Sequence, residues 1–465
     1  MTTDLKEKWN RYYDEVPSSL QKIKQVKSVA AAFNTNIDAV IKISGSQISV
    51  LAKKAGLTIE NMFDGATEIV AWQDVVRGIV KCFTQGIAEE WLCADAHTFM
   101  WLQGNIGYDR LQMGGQGGIV ANAMAVLGVQ NVYVHTASHP KLQAEQFLNL
   151  PNLLASDDNW NLRKACEVNR KNDIPLIHWI IEFDIGDKLI IGDKEFICPK
   201  SNRFIATYDP DNMKLKKDEG FLQNIAKTGF DCMILSGYHN LSSADMGEQR
   251  VKETIPLIKK WKADNPNAII HLELASTQDI KVRKSIAENI APLADSIGLN
   301  EREALDVLEI ADAEEFSKIK DKKLTSELLF NVVLKIKEYC KTPRVQLHFF
   351  GMYLTVQDEN FKITPQQNKS GMMLAATVAA TKAGTGSIDN PDTLLWAHGK
   401  GVSDKGLAEI ENLAHFLNKP ELAENGICHL SGYDVIAVPT ILIDKPLTLV
   451  GMGDTISSVS LVGAL

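Results

Sequence analysis

The chain has no paired-cysteine motif. Its seven cysteines, at 82, 93, 166, 198, 232, 340 and 428, are odd in number and never spaced as CxxC. That spacing fits free thiols in a reducing cytoplasm, and without a CxxC or HExxH there is no support for a zinc site. Positive charge is also short. The 49 Lys and Arg face 58 Asp and Glu, a net charge of -9, so neither nucleic acid nor an anionic membrane surface is the expected partner. No apolar run approaches the ~20 residues that span a bilayer; "GGIVANAMAVLGV" is too short and too rich in small residues. The N-terminus, "MTTDLKEKWNRYYDEV", is charged and helical in pattern, unlike a signal peptide. Two phosphate-binding signatures are missing as well: GxxxxGK[ST] is absent, and no third glycine completes a GxGxxG.

What remains is an ordinary globular composition, 45% hydrophobic and 23% charged over 465 residues. That length allows a large core and more than one domain. "VKSVAAAFNTNIDAVIKI" reads as a strand interrupted by "NTNID". Helical periodicity follows in "SQISVLAKKAG" and "EIVAWQDVVRGIVKCFTQG". "GGQGGIVANAMAVLG" reads as a glycine-rich turn opening a helix, and "NVYVHTA" as the next strand. Residues 176–208 are β-rich, with Gly-Asp turns, and predict an antiparallel patch inserted into an α/β chain. Strand–helix alternation then runs through "DCMILSGYHNL", "AIIHLELAS", "DSIGLNEREAL", "RVQLHFFGMYLTV" and "LTLVGMGDT". This predicts a parallel sheet with helices on both faces and ligands at the strand tips. The polar tips are Asn34–Asp38, Ser236–Asn240, His271–Glu273, Asn300–Glu303 and Gly451–Asp454.

Five motifs carry candidate chemistry. In "VGMGDTIS", Gly451, Met452 and Gly453 offer bare amides and the positive end of a helix dipole, which suits a phosphate. Asp454 beside them would accept the proton of an attacking hydroxyl; an Asp N-cap after a glycine turn accounts for it equally well. In "HLE", His271 and Glu273 share one strand face. Glu273 suits a water-mediated magnesium site, or the pair is a half-buried strand with a satisfied histidine. In "NERE", Asn300 and Glu303 face one side of a first helical turn and would hold waters on Mg²⁺. A capping box explains the same residues. "GGQGG" lets backbone approach a polar ligand, with Gln116 supplying an amide, or is a plain tight turn. "NTNID" makes one strand face polar, fit for sugar hydroxyls or for a sheet edge.

In this order, "FNTNIDAV" (33–40), "GGQGGIVAN" (114–122), "NRFIA" (202–206), "HLE" (271–273), "NERE" (300–303) and "VGMGDTIS" (450–457) resemble the ADP-dependent sugar kinases of the ribokinase superfamily. The likeness runs from about residue 30 to the end; Gly117 stands where that family usually has Ala. The resemblance implies an α/β, ribokinase-like enzyme. A large Rossmann-like doubly wound domain (1–38, 119–172 and 212–465) would bind ADP. A smaller α/β lid (39–118 and 173–211) would close over the sugar.

It further implies Asp454 as catalytic base and the amides of Gly451, Met452 and Gly453 as the anion hole. Glu273, Asn300 and Glu303 would organise Mg²⁺, with His271 nearby. Asn36, Asp38, Gly115, Gln116, His178 and Glu90, with Glu89 as the adjacent alternative, would bind sugar hydroxyls. Arg203 and Lys200 would reach a sugar phosphate, and Val438, Thr440, His348 and Gly351 would lie near the adenine. The expected reaction moves the β-phosphate of ADP to fructose 6-phosphate, in a modified glycolysis. Glucose is the alternative or second acceptor. The further alternatives are an ATP-dependent ribokinase-like kinase, which sequence alone does not tell from an ADP-dependent one, and a sugar sensor without catalysis, against which an intact Asp454 argues. The partners are then small molecules, in the cytoplasm.

Overall fold

The computed structural model describes residues 2–63, 68–93, 96–277 and 279–465. Within its larger sheet runs Ser28–Ala32, every residue of it buried. Asn131–Val134 and Cys232–Leu235 flank it in parallel. Beyond the latter lie Ile269–Glu273, Ser296–Asn300 and Arg344–Phe349, also parallel. Strands covered on both faces read as continuous apolar runs, which is why "CMIL" and "SIGL" carry so little polarity. Among the described residues the sheet has eleven strands.

Its edges depart from the expected all-parallel order. "RVQLHFFGMYLTV" is a hairpin rather than one strand: Arg344–Phe349 turns at Phe350 and Gly351 into the antiparallel Met352–Asp358. Gly351 has φ +109°, which a side chain resists. Tyr433–Pro439 and Ile427–Leu430 extend that edge antiparallel, and Leu162–Lys164 closes the other. "LTLV" is not a strand either. Pro446 precedes it, and Leu447 and Leu449 are 71% and 66% exposed. The Gly-Met-Gly-Asp turn therefore follows a loop.

A six-stranded sheet with its own core stands beside the first. Its order is Glu68–Ile69, Glu89–Cys93, Asn202–Tyr208, Ile177–Phe183, Asn36–Lys42 and Arg110–Gly114. The β-rich 176–208 segment supplies two of these strands and a hairpin, Lys188–Ile191 with Lys194–Ile197. Strand alternation divides the faces. Ile37, Ala39, Trp91, Trp179, Ile181, Phe204 and Ala206 turn into the core beside the helices Gly45–Lys54 and Trp72–Gln85. Asn36, Asp38, Glu90, His178, Arg203 and Thr207 take the opposite face. The interrupted N-terminal strand is thus two strands in two sheets, and "NT" is the crossing point. Among the described residues no helix is long and apolar enough to cross a membrane.

Candidate active site

At the crossing, the glycines of "GGQGG" lie against the polar strand. A Cβ on Gly114 would fall 2.2 Å from Asp38 Oδ1, and one on Gly115 (φ +73°) would fall 2.7 Å from Asn36 Oδ1. Gly117 N donates to Asn34 O at 2.7 Å. Gly237 packs on Asn34 from the other side, bringing "SGYHN" to the same place. Among the described residues, buried polar atoms here lack a partner: Asn34 Oδ1, Asn36 Oδ1, His239 Nδ1, Asn240 Nδ2 and, on the six-stranded sheet, Arg203 Nε. Such groups are costly unless a ligand completes them.

The same face gathers charge. Asn36 Nδ2 donates to Asp38 Oδ1 at 3.0 Å. Burial raises the Asp38 carboxyl to about 6, against the pull of His178 and Asn36. His178 Nε2 sits 3.0 Å from Asp209 Oδ2, and its Nδ1 is 3.8 Å from Glu90 Oε1. Burial opposes charge on that ring, yet Asp209, Glu90 and Asp38 together outweigh it and raise His178 to about 9. Thr207 Oγ1 donates to Glu90 at 2.6 Å. Glu89 points the other way, held by Lys81 at 2.8 Å and by the Trp91 indole. Of the two adjacent glutamates, only Glu90 joins the cluster. Lys200 is exposed and lies beside Gly86, where the helix Trp72–Gln85 ends; no contact with the cluster appears among the described residues.

Across from this face, the helix Met452–Val462 begins at Gly451, whose φ of +61° and ψ of 26° cap it. The first amides of a helix have no partner within it. Asp454 stands in that first turn, half-buried. Burial raises its carboxyl above the ordinary range, opposed by a hydrogen bond from Gln116 and by the charge of Lys382. Lys382 Nζ donates to Gly451 O at 3.0 Å and to Thr455 Oγ1 at 3.1 Å. Gln116 Oε1 also accepts from Gly237 N at 3.2 Å, tying this turn to the "SGYHN" segment.

Glu273 ends its strand beside Asp454. His271 Nε2 lies 3.1 Å from Glu273 Oε2, and His271 Nδ1 lies 2.9 Å from Ser296 Oγ. Arg344, wholly buried, donates to the same Ser296 at 2.7 Å. Burial, then the charges of Asp454 and Glu303, lift Glu273 well above the usual carboxylate range. Burial likewise takes Glu303 to about 8, with Asp454 adding to it. Asn300 and Glu303 form a full capping box, with Glu303 N to Asn300 Oδ1 at 3.0 Å and Asn300 N to Glu303 Oε2 at 2.8 Å. No cluster of three His, Cys, Asp or Glu that would hold a metal directly is found among the described residues. Crowded, desolvated carboxylates do fit a Mg²⁺ that keeps several of its waters.

A cleft of about 490 Å³ opens from this turn, lined by Asn300, His348, Gly351, Tyr353, Thr440 and Gly453, and otherwise mostly apolar. Of the four expected adenine neighbours, His348, Gly351 and Thr440 line it. Val438 does not; it is fully buried within Tyr433–Pro439.

The pattern of the ADP-specific Phosphofructokinase/Glucokinase conserved region matches residues 27–463. The chain belongs to this family. It is 29% identical over 456 residues to an ADP-specific phosphofructokinase of Thermococcus zilligii, covering 93% of this chain and 94% of that protein. It is 30% identical over 462 residues to an ADP-dependent glucose/glucosamine kinase of Pyrococcus abyssi, covering 97% of each. Among solved structures, the last common ancestor of ADP-dependent phosphofructokinases from Methanosarcinales superposes with a TM-score of 0.84 at 28% identity, over 100% of this chain and 98% of that one. An ADP-dependent kinase in complex with fructose-6-phosphate and ADPbetaS superposes at 0.81 and 28% identity, over 98% and 97%.

Three residues of the candidate site escaped sequence reasoning: Asp209 beside His178, Lys382 beside Gly451 and Gly298 beside Glu273. Lys382 had a signal, being the one charge in "LAATVAATKAG". Asp209 had a weaker one, an acid before Pro210 at a strand end.

Proposed function

We propose that this family member transfers the β-phosphate of ADP to fructose 6-phosphate, releasing AMP and fructose 1,6-bisphosphate. The observation that carries the reading is Asp454: a carboxylate in the first turn of a helix with free amides, facing a bed of unpartnered polar groups. The sugar lies on Asn36, Asp38, Glu90, Gly115, Gln116 and His178. Arg203 shares that face, and its unpartnered Nε suits the 6-phosphate. ADP occupies the cleft at His348 and Thr440, with its β-phosphate at the amides of Gly451, Met452 and Gly453. As the C1 oxygen attacks, its proton passes to Asp454, the bond from the β-phosphorus to the bridging oxygen breaks, and AMP leaves with that oxygen. The amides hold the charge that develops on the migrating group. Glu273, Glu303 and Asn300 would hold Mg²⁺ through water, and the ion would neutralise phosphate charge. The two sheets correspond to a large domain and a lid, whose closure excludes water. The odd cysteine count, without a CxxC pair, supports a reducing cytoplasm as the setting.

Glucose is a second acceptor in this reading, favoured by Glu90, which turns to the sugar face beside His178. One assay separates the possibilities: AMP release from ADP-Mg²⁺, with fructose 6-phosphate and glucose side by side and ATP-Mg²⁺ as the alternative donor. Transfer from ATP but not ADP overturns the donor; no transfer from either leaves a sensor.

A further inference from the structure

Lys382 is a half-buried cation that the reaction scheme above does not use. It lies in the last turn of the helix Pro365–Thr385, which packs on the helix Met452–Val462 through Gly371, where a Cβ would fall 2.1 Å from Ser460 O. Its ammonium has two acceptors, Gly451 O and Thr455 Oγ1. Thr455 Oγ1 in turn donates to Gly451 O at 2.8 Å. That carbonyl therefore receives two side-chain donors.

The consequence follows from peptide geometry. The Gly451 carbonyl and the Met452 N–H belong to one planar unit and point in opposite directions. Fixing the carbonyl aims the amide. A charged donor on the oxygen also polarises the unit and strengthens its N–H as a donor. The charge has a second effect. Asp454, from the same helix as Thr455, and Asp38, from the six-stranded sheet, both act on Lys382. Glu145 and Asp389 line, together with Lys382, a second cavity apart from the cleft at His348. The charges of Glu273 and Glu303 also interact with Asp454.

We propose that Lys382 is a positioning residue for phosphoryl transfer: through the Gly451 carbonyl it aims the Met452 amide at the migrating group, and its charge balances the Asp454 carboxylate. The inference rests on the assignment of Asp454 and the Gly451–Gly453 turn made above. Burial lowers the ammonium to about 8, although Asp454 and Asp38 resist. The charge is present below that pH and lost above it.

The test compares Lys382→Met and Lys382→Arg with the wild type in kcat, KM for ADP and the pH profile of kcat/KM, with thermal unfolding as a check on folding. Lys382→Met is expected to lose ~10–100-fold in kcat, a fraction of what a lost anion-hole donor costs, with KM for ADP within about threefold. Its acid limb should move to higher pH, because Asp454 has lost a neighbouring positive charge. The alkaline fall near 8 should disappear, while any limb due to His178 stays in both proteins. Lys382→Arg, which does not deprotonate in this range, should restore the acid limb and push the alkaline one upward. A Lys382→Met enzyme whose profile overlays the wild type, whatever its kcat, overturns the proposal. Wild-type enzyme that moves no phosphate from ADP overturns the underlying reading of the site instead.

Discussion

Gly298 leaves Glu273 no room to share. A Cβ on Gly298 would lie 2.1 Å from Glu273 Oε2, 2.6 Å from Ser457 Oγ and 2.7 Å from His271 Nε2. A strand glycine normally weakens a sheet; here its missing side chain is the space in which the Glu273 carboxylate sits. Gly298→Ala should therefore lower kcat and cost about 1–3 kcal/mol in stability, as overpacking does. Gly104 in the helix Ala96–Asn105 is the control, since nothing lies within 4 Å of its Cβ position. Gly104→Ala should leave activity intact and raise the unfolding midpoint slightly. Equal effects at both sites would disprove the steric account.

The capping box and the magnesium role of Glu303 separate by substitution. Gln caps at the same position nearly as well as Glu, so Glu303→Gln should unfold at close to the wild-type temperature. It should still raise the Mg²⁺ concentration for half-maximal rate by ~10–100-fold. Asn300→Ala should cost about 1 kcal/mol through the lost cap. If Glu303→Gln keeps the wild-type Mg²⁺ dependence, the residue is a cap and nothing more.

Arg203 and Glu90 should discriminate the two acceptors. Removing the guanidinium in Arg203→Ala forfeits charge-assisted hydrogen bonds worth about 1.5–3 kcal/mol. The KM for fructose 6-phosphate should rise ~10–150-fold by that energy, with glucose little affected. Glu90→Gln should weaken glucose more than the phosphorylated sugar. Parallel losses on both sugars would remove Arg203 from the phosphate contact.

The His178–Asp209 pair gives a stability profile with a definite sign. The ring's folded value, about 9, lies above its ordinary 6.5. Its contribution is complete below about 6.5 and is lost as pH rises through about 9. Asp209→Asn breaks a buried pair, at a cost of roughly 3–5 kcal/mol, and should flatten that alkaline decline. An NMR titration of His178 checks the cause directly. A ring that titrates near 6.5 in the wild type would contradict the assigned environment.

The sequence by itself determined the family and the chemistry of the local turns. The Gly-Met-Gly-Asp helix start and the Asn300–Glu303 box rest on interactions among residues close in the chain, so spacing carries their meaning. Glu89 and Glu90 show where this stops. Both are glutamates on one strand, and only the pairing of Glu89–Cys93 with Asn202–Tyr208 sends one to Lys81 and the other to His178. "LTLV" has the apolarity of a strand but lies in a loop. Lys382 reaches Gly451 because two helices pack, and Gly298 matters because Glu273 arrives from the neighbouring strand. Tertiary structure alone decided these contacts: they depend on the path of the chain between distant segments, and nothing in either segment's own periodicity records where the other will lie.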